Sequence, residues 1–510
     1  MSDLDRAGDQ SVTAQIAERF KAAIDAGDLA PGDKLPSTRA LAEEAGINHL
    51  TAVRVYRRLA EDGYVTAGVG RGTFVRSVPP PAAADDAGVW QHAVLPDLAP
   101  SYVAEVMAET MRMHRNPEAS GSTGWIATPP RESDTINMSV AWTAPELHPV
   151  AELRELADEL FATDGAAMLS YGEPEGLAEL RAEVARRGEL SGFARSPEEI
   201  VITTGARQGI DLVCRTVVRP GDVVVCESPT FIGTLSTLQA AGARVLGVPF
   251  DTDGFDVDEL ERILTRHEVK LVALQTGSQN PTGQDLAPER AERLIKLAQE
   301  RSFFILEDGV YANTRFGAGP PPPRLRRYAP DHVLYVDSLS KTIGGGLRVG
   351  WVAATGEARR RIGELKLGTD VHSSSVSQYL AARWLASGSH DDHLRRTNAV
   401  YEKRAAALLE SVRRRLGDEV SVLDPRGGHN LWLTFKRPID ERLLYAEALR
   451  QRVGFTPGRA VRPEQSGPSA LRLSFPMLDE EHLDEGVRRL AVAIRAMRRQ
   501  SGGWAAAAPS

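Results

Sequence analysis

From about residue 134 to residue 501, short apolar runs alternate with amphipathic stretches, and no other feature constrains the fold of this chain as strongly. Runs such as Ile200-Val201-Ile202, Leu271-Val272-Ala273-Leu274 and Phe303-Phe304-Ile305-Leu306 are too short for helices and bounded by turn residues. Strands of this kind separated by helices predict an α/β body. With 510 residues the chain exceeds one ordinary domain, so a further folding unit is expected.

That unit lies at the N-terminal side. Val12, Ile16, Phe20 and Ile24 form one apolar helix face that ends near Gly27 and the Pro31-Gly32 turn. Ser37 is placed to cap a second helix carrying Leu41, Ala42 and Ala45, stopped by Gly46. A third helix carries Ala52, Val53, Tyr56 and Leu59 as far as Gly63. Tyr64-Val65-Thr66 and Thr73-Phe74-Val75 then read as the strands of a β-wing around Gly68-Val69-Gly70-Arg71-Gly72. No helix follows that glycine run, which excludes a dinucleotide fingerprint. Two helices, a short turn and a wing predict a winged helix-turn-helix that binds double-stranded DNA. Asn48, His49, Thr51 and Arg54 on the third helix, with Arg71 and Gly72 in the wing, are the candidate contacts.

The overall charge of −8, from 61 basic against 69 acidic residues, speaks against nucleic acid only at the scale of the whole chain. Residues 48–76 hold five arginines against Glu61 and Asp62, a local +3, and the remainder carries −11. The run Pro31-Gly32-Asp33-Lys34-Leu35-Pro36-Ser37-Thr38-Arg39, with Thr51, Arg54, Gly63-Tyr64 and the glycine-rich wing, resembles the GntR family of winged-helix regulators. The resemblance implies operator contacts from Arg39, Thr51, Arg54 and the wing. Asn48-His49 departs from the Ser-Arg common in that family, so the operator sequence does not follow from it.

Residues 78–132 are expected to be a linker, with prolines and small residues at its start and a short helix around 103–113. The winged helix is assigned to 11–77 and the α/β part to 133–500, with a large domain over about 170–350 and a small domain from the remainder.

Five clusters mark the α/β part. They are Ser170-Tyr171-Gly172 with Gly176, Thr203-Thr204-Gly205-Ala206-Arg207, Asn280-Pro281-Thr282-Gly283, Glu307-Asp308-Gly309-Val310-Tyr311, and Ser338-Leu339-Ser340-Lys341 with Gly344-Gly345-Gly346-Leu347-Arg348. Several follow apolar strands, and carboxyl ends of strands are where open α/β sheets bind ligands. The chemistry that uses them together is that of pyridoxal 5′-phosphate (PLP), whose aldehyde takes a lysine amine. Of eight lysines, only Lys341 follows a buried strand and precedes a glycine-rich turn; Lys296, Lys366 and Lys403 fall on charge-flanked helical segments. Asp308 is placed to hold the pyridine nitrogen protonated, and Asn280 and Tyr311 to donate to the phenolic oxygen. Ala206, Arg207, Ser338, Ser340 and Arg348 are placed for the phosphate, and Phe231 to stack on the ring.

These residues resemble fold type I PLP enzymes, in particular the class I aminotransferase group, over about 135–495. The resemblance further implies that Tyr171 reaches the phosphate of a partner subunit in a head-to-tail homodimer and that Arg472 clamps a substrate carboxylate. Phe231 and Ala206 depart from the Tyr and Ser common there. A GntR-type head, a linker and an aminotransferase-like block together resemble the MocR group of regulators. The implied function is a DNA-binding regulator whose amino-acid or amine effector displaces Lys341 from the cofactor; a working aminotransferase with an appended DNA-binding domain, or a sensor of PLP itself, stays open. His390 and His393 could begin a helix, and no metal is expected. The polar start, the absence of an 18-residue apolar run, and Cys214 and Cys226 in apolar surroundings lead us to expect a cytoplasmic protein off the membrane.

Overall fold

The computed structural model describes residues 12–26, 28–30, 32–61, 64–68, 72–75, 135–317 and 319–505. Arg71, the expected linker and its short helix lie outside the described residues. The chain divides into two compact units, within residues 1–99 and 100–510.

In the first unit, helices α1 (Val12–Asp25), α2 (Thr38–Glu44) and α3 (His49–Glu61) precede the antiparallel pair β1 (Val65–Gly68) and β2 (Gly72–Val75). Ile16, Phe20, Leu41, Ala52, Val55, Tyr56, Leu59, Val65 and Val75 form its core. Val55, not the expected Val53, completes the inward stripe of α3, because 52, 55, 56 and 59 share one face at helical spacing. Ser37 caps α2, its Oγ accepting from the Ala40 N–H at 3.2 Å. The wing is wider than two strands: Lys34 bridges Phe74, and the Leu35 N–H donates to the Thr73 carbonyl at 2.8 Å. Gly72, at φ +114°, leaves room for the Lys34 stem, which would lie 2.8 Å from an added Cβ.

The second unit opens with β3 (Ile136–Asn137) and is built on an eight-stranded sheet. Its strands are β4 (Ile200–Thr203), β5 (Val223–Ser228), β6 (Arg244–Asp251), β7 (Gly254–Phe255), β8 (Val269–Leu274), β9 (Phe304–Asp308), β10 (Val333–Ser338) and β11 (Gly350–Ala353). They lie in the order β4-β11-β10-β9-β8-β5-β6-β7. The run from β10 to β6 is parallel, while β11 opposes both its neighbours. Strands β8 and β10 are apolar almost throughout because helices cover both faces of the sheet.

A second, antiparallel sheet has the order β12 (Val420–Val422), β13 (Asn430–Phe435), β16 (Ala470–Ser474), β15 (Thr456–Pro457), and β14 (Val453–Gly454) pairs with β3. The helices Ser389–Leu416 and Glu480–Ala505 bury Leu408, Val412, Leu483, Val487 and Leu490 against it. Ile136 and Met138 join this second core, whereas Ala381, Trp384 and Leu385 of the helix Ser375–Ala386 pack with Leu180, Ile200 and Tyr335 on the main sheet. The Pro320–Pro323 run, expected as an exposed loop, is exposed at Pro320 and Pro321 only; Pro322 is buried and seats against Gly277.

Candidate cofactor and effector site

Parallel strands β8, β9 and β10 end side by side, so Gln275, Asp308 and Ser338 emerge on one edge of the sheet. The edge forms the floor of a half-open cavity, walled by Ala206, Arg207, Ile210, Phe231, Asn280, Val310, Tyr311, Ser340, Lys341 and Arg348. Ten of the residues singled out from sequence for the cofactor thus line one space; Ile210, Gln275 and Val310 were not anticipated.

Lys341 ends the short turn after β10, and its Nζ donates to the Ala141 carbonyl at 2.7 Å. Burial, helped by the Arg472 guanidinium, lowers its pKa to about 8, against the opposing pull of Asp308. Asp308 is pushed up to about 6 by burial, although its carboxylate accepts from the Val310 N–H at 3.1 Å and from Gln275 Nε2 at 2.8 Å. A depressed lysine beside a buried carboxylate in one cavity is an arrangement that chemistry uses more often than packing does.

Opposite lies the N-terminus of the helix Ala206–Val217, which has no side-chain cap. Gly205 enters it at φ +81°, a conformation that only glycine adopts without strain. Arg348 is itself left-handed at φ 53° and donates from Nη2 to the Thr204 carbonyl at 2.8 Å. Gly350 lets β11 run against this turn, since an added Cβ would stand 2.6 Å from the Gly205 carbonyl carbon. Uncapped N–H groups, the Ser338 and Ser340 hydroxyls and two guanidinium groups suit a phosphate. Lys366, on a charge-flanked helix as expected, is buried; its Nζ pairs with Asp370, whose other oxygen accepts from Gln208 Nε2 at 2.8 Å and from the Thr204 hydroxyl. This ion pair braces the turn from behind.

Arg472, on β16, lies behind Asn280 rather than on the cavity wall. It donates to Asn280 Oδ1 at 3.1 Å, to Thr456 Oγ1 at 3.0 Å and to the Ser139 carbonyl, all neutral acceptors. Burial lowers its pKa to about 10. Its Nε, the Tyr311 hydroxyl and His429 Nε2 are buried without a hydrogen-bond partner. His429 donates from Nδ1 to Ala141 at 3.2 Å, which leaves Nε2 as the bare acceptor; burial lowers its pKa to about 3, so the ring stays neutral. Orphaned polar atoms at this density are a mark of a site built for a polar ligand. An anion, a protonated ring nitrogen and a phenolic oxygen would each meet a matching group here.

Other sequence candidates lie elsewhere. Tyr171 is 89% exposed, its ring edge-on to His372 at 5.7 Å, and does not line the cavity. His390 accepts from Trp384 Nε1, and His393 Nε2 donates to the Thr342 carbonyl at 2.7 Å, so both histidines are tied into the fold. No group of three or more His, Cys, Asp or Glu able to hold a metal occurs among the described residues. No helix among the described residues is long and apolar enough to cross a membrane.

In the first unit, Arg39, Asn48, His49 and Arg54 are exposed and Thr51 is half-buried. Asn48 caps α3, Oδ1 accepting from the Thr51 N–H at 2.7 Å and from its hydroxyl at 2.9 Å, and His49 Nε2 lies 3.1 Å from Thr38 Oγ1. These bonds fix the start of α3, so the expected departure from Ser-Arg has a structural use as well as any role toward DNA.

Residues 12–75 match the family described as bacterial regulatory proteins, gntR family, and residues 137–490 match aminotransferase class I and II. The HTH-type transcriptional regulator YdcR of Escherichia coli is 30% identical over 485 residues, 94% of this chain and 98% of its own length. The probable rhizopine catabolism regulatory protein MocR of Rhizobium meliloti is 26% identical over 97% of this chain and 96% of its own. Among solved structures, the α-aminoadipate aminotransferase LysN of Thermus thermophilus, complexed with N-(5′-phosphopyridoxyl)-L-leucine, superimposes with a TM-score of 0.68 at 33% identity, covering 72% of this chain and 93% of that one. A gntR-type head followed by a class I and II aminotransferase fold, with full-length relatives among transcriptional regulators, places this chain in the MocR-type family.

Proposed function

We propose that this protein is a PLP-dependent transcriptional regulator that responds to an amino acid or amine. The observation that carries the reading is the single cavity joining Lys341, Asp308 and the uncapped helix at Ala206, in a chain that also has a winged helix. PLP bound there supplies an aldehyde and an electron-accepting ring. Lys341 provides the amine that anchors it, Asp308 the carboxylate for the ring nitrogen, and Asn280 and Tyr311 the donors for the phenolic oxygen. Phe231 covers the ring; Ala206, Arg207, Ser338, Ser340 and Arg348 hold the phosphate. Tyr171, exposed in one copy, is left for the partner's phosphate in a head-to-tail homodimer. The effector takes the place of Lys341, with its carboxylate on Arg472 and Asn280. Arg39, Asn48, His49, Thr51, Arg54, Arg71 and Gly72 contact the operator. We assign residues 11–77 to the DNA-binding domain, 78–132 to the linker and 133–500 to the PLP-binding domain, its large domain over about 170–350, and place the protein in the cytoplasm.

The test is a titration of upstream duplex DNA with the PLP-loaded protein, with and without a panel of amino acids. Salt-dependent binding altered by one class of amino acid is expected; no binding with or without PLP overturns the regulator reading. Arg54→Ala is expected to weaken binding and flatten its salt dependence by about one phosphate contact.

The depressed Lys341 has a second consequence. Its neutral, nucleophilic form dominates above about pH 8, so the rate of PLP attachment is expected to rise with pH and level off above about 8. Stopped-flow absorbance checks this; a rate still climbing at pH 10 would mean an unperturbed amine. The same amine, poised to accept and return a proton, favours transamination as the second reading, and keto-acid formation at enzyme-like rates would establish it.

A further inference from the structure

Gln275 is the first residue after β8 and is buried at the cavity floor. Its side chain uses both ends. Nε2 donates to Asp308 Oδ2 at 2.8 Å, and Oε1 accepts from the Asn280 N–H at 2.6 Å. Its main chain is fixed in turn, the N–H donating to Glu227 Oε1 at 2.6 Å. Glu227, at the end of the neighbouring β5, also accepts from the Thr230 hydroxyl and from Gln279 Nε2, both at 3.2 Å. Gln279 completes the frame by accepting from the Thr282 N–H at 3.0 Å and hydroxyl at 2.7 Å. Thus the strand ends β5, β8 and β9 and the Asn280-Pro281-Thr282-Gly283 turn share one closed set of hydrogen bonds.

Asp308 needs such a frame. A carboxylate has two oxygens and here a single main-chain donor, the Val310 N–H, on Oδ1. The Gln275 amide fixes the other oxygen, and with it the rotation of the carboxylate plane. Because Gln275 has no charge, it does this without competing for a cationic partner. The Oε1 bond to Asn280 holds the amide from flipping, since only the carbonyl end can accept from that N–H.

We propose that Gln275 is a positioning residue that orients Asp308 toward the ring nitrogen of the cofactor and locks it to the Asn280 turn. This rests on the PLP reading above and adds to it a residue that carries no chemistry of its own. An orienting role predicts an effect that depends on the ring nitrogen, whereas a purely structural role predicts the same loss for any cofactor of that shape.

The experiment compares equilibrium binding of PLP and of its 1-deaza analogue, in which a ring C–H replaces the nitrogen, to the full-length wild type, Gln275→Leu and Gln275→Met. The Met variant keeps the length of the side chain, has no donor for Asp308 and adds no charge, and so remains informative if the Leu variant does not fold. In the wild type, PLP is expected to bind more tightly than the analogue. In both variants that preference is expected to fall about tenfold, the ratio set by one hydrogen bond to a charged group, with analogue binding unchanged. A wild type that holds both cofactors equally, or variants that keep the wild-type preference or weaken both cofactors in parallel, overturns the assignment. A wild type that binds neither cofactor instead removes the PLP reading itself.

Discussion

Lys341→Ala is expected to lose tightly held cofactor altogether. After dialysis of PLP-loaded protein, the wild type keeps its visible absorbance and the variant falls to background. The reason is geometric. The amine is held at the cavity by its bond to the Ala141 carbonyl, in the same space as Asp308 and the anion turn. A positioned amine acts at an effective concentration of about 10⁵ M or more, so its removal costs retention and amine exchange by at least about 10³-fold. Lys366 cannot substitute, because it sits behind the turn and is bound to Asp370. Cofactor that survives dialysis in the variant would shift the attachment to another lysine. The amino-acid response of DNA binding is expected to vanish in the same variant, and gel-shift titration reads it.

The largest loss of stability is expected from Arg326→Ala. Arg326 is among the largest fully buried side chains, and it satisfies five groups at once. Its guanidinium donates to Glu199 Oε2 at 2.6 Å, to the Phe193 carbonyl at 2.7 Å, to Pro330 at 2.7 Å and to Val333 at 2.8 Å, while its N–H meets Glu307 Oε2 at 3.1 Å. Truncation leaves Glu199 without its cation and removes the guanidinium donors of the Phe193, Pro330 and Val333 carbonyls, of which Pro330 keeps the Thr355 hydroxyl at 3.2 Å. Breaking a buried pair from one side costs about 3–5 kcal/mol, and denaturant midpoints of wild type and variant measure it. A loss below 1 kcal/mol, within the range of an exposed pair, would show that solvent reaches the site.

The site was legible in the sequence where function needs a special residue at a special place. Lys341, Asp308 and Asn280 follow apolar strands, and Gly205 must be glycine, so pattern and position together marked them. The supporting residues carry no such mark. Gln275 is an ordinary amide whose proposed role comes from three strand ends meeting, and the charged neighbours of Lys366 on its helix gave no sign that its side chain is buried behind the turn. Val53 was read as inward in place of Val55, two positions on, because a short run with apolar residues at 52, 53, 55, 56 and 59 fits more than one phase of a helix. Arg326 escaped notice for a related reason: a sequence shows a charge but not the carbonyls that converge on it. Arg472 was marked by its apolar strand, but its distance behind Asn280 required the second sheet to be in place.

Ser338, Ser340, Lys341 and Arg348 all fall within residues 338–348, between β10 and the reversed strand β11, whereas Asp308, Asn280 and Arg472 come from three separate places in the fold. The amine proposed as the anchor and three of the five residues proposed for the phosphate therefore lie on one short connection. On that assignment, changes confined to residues 338–348 alter attachment and phosphate contacts together, while the walls supplied by other elements keep their shape.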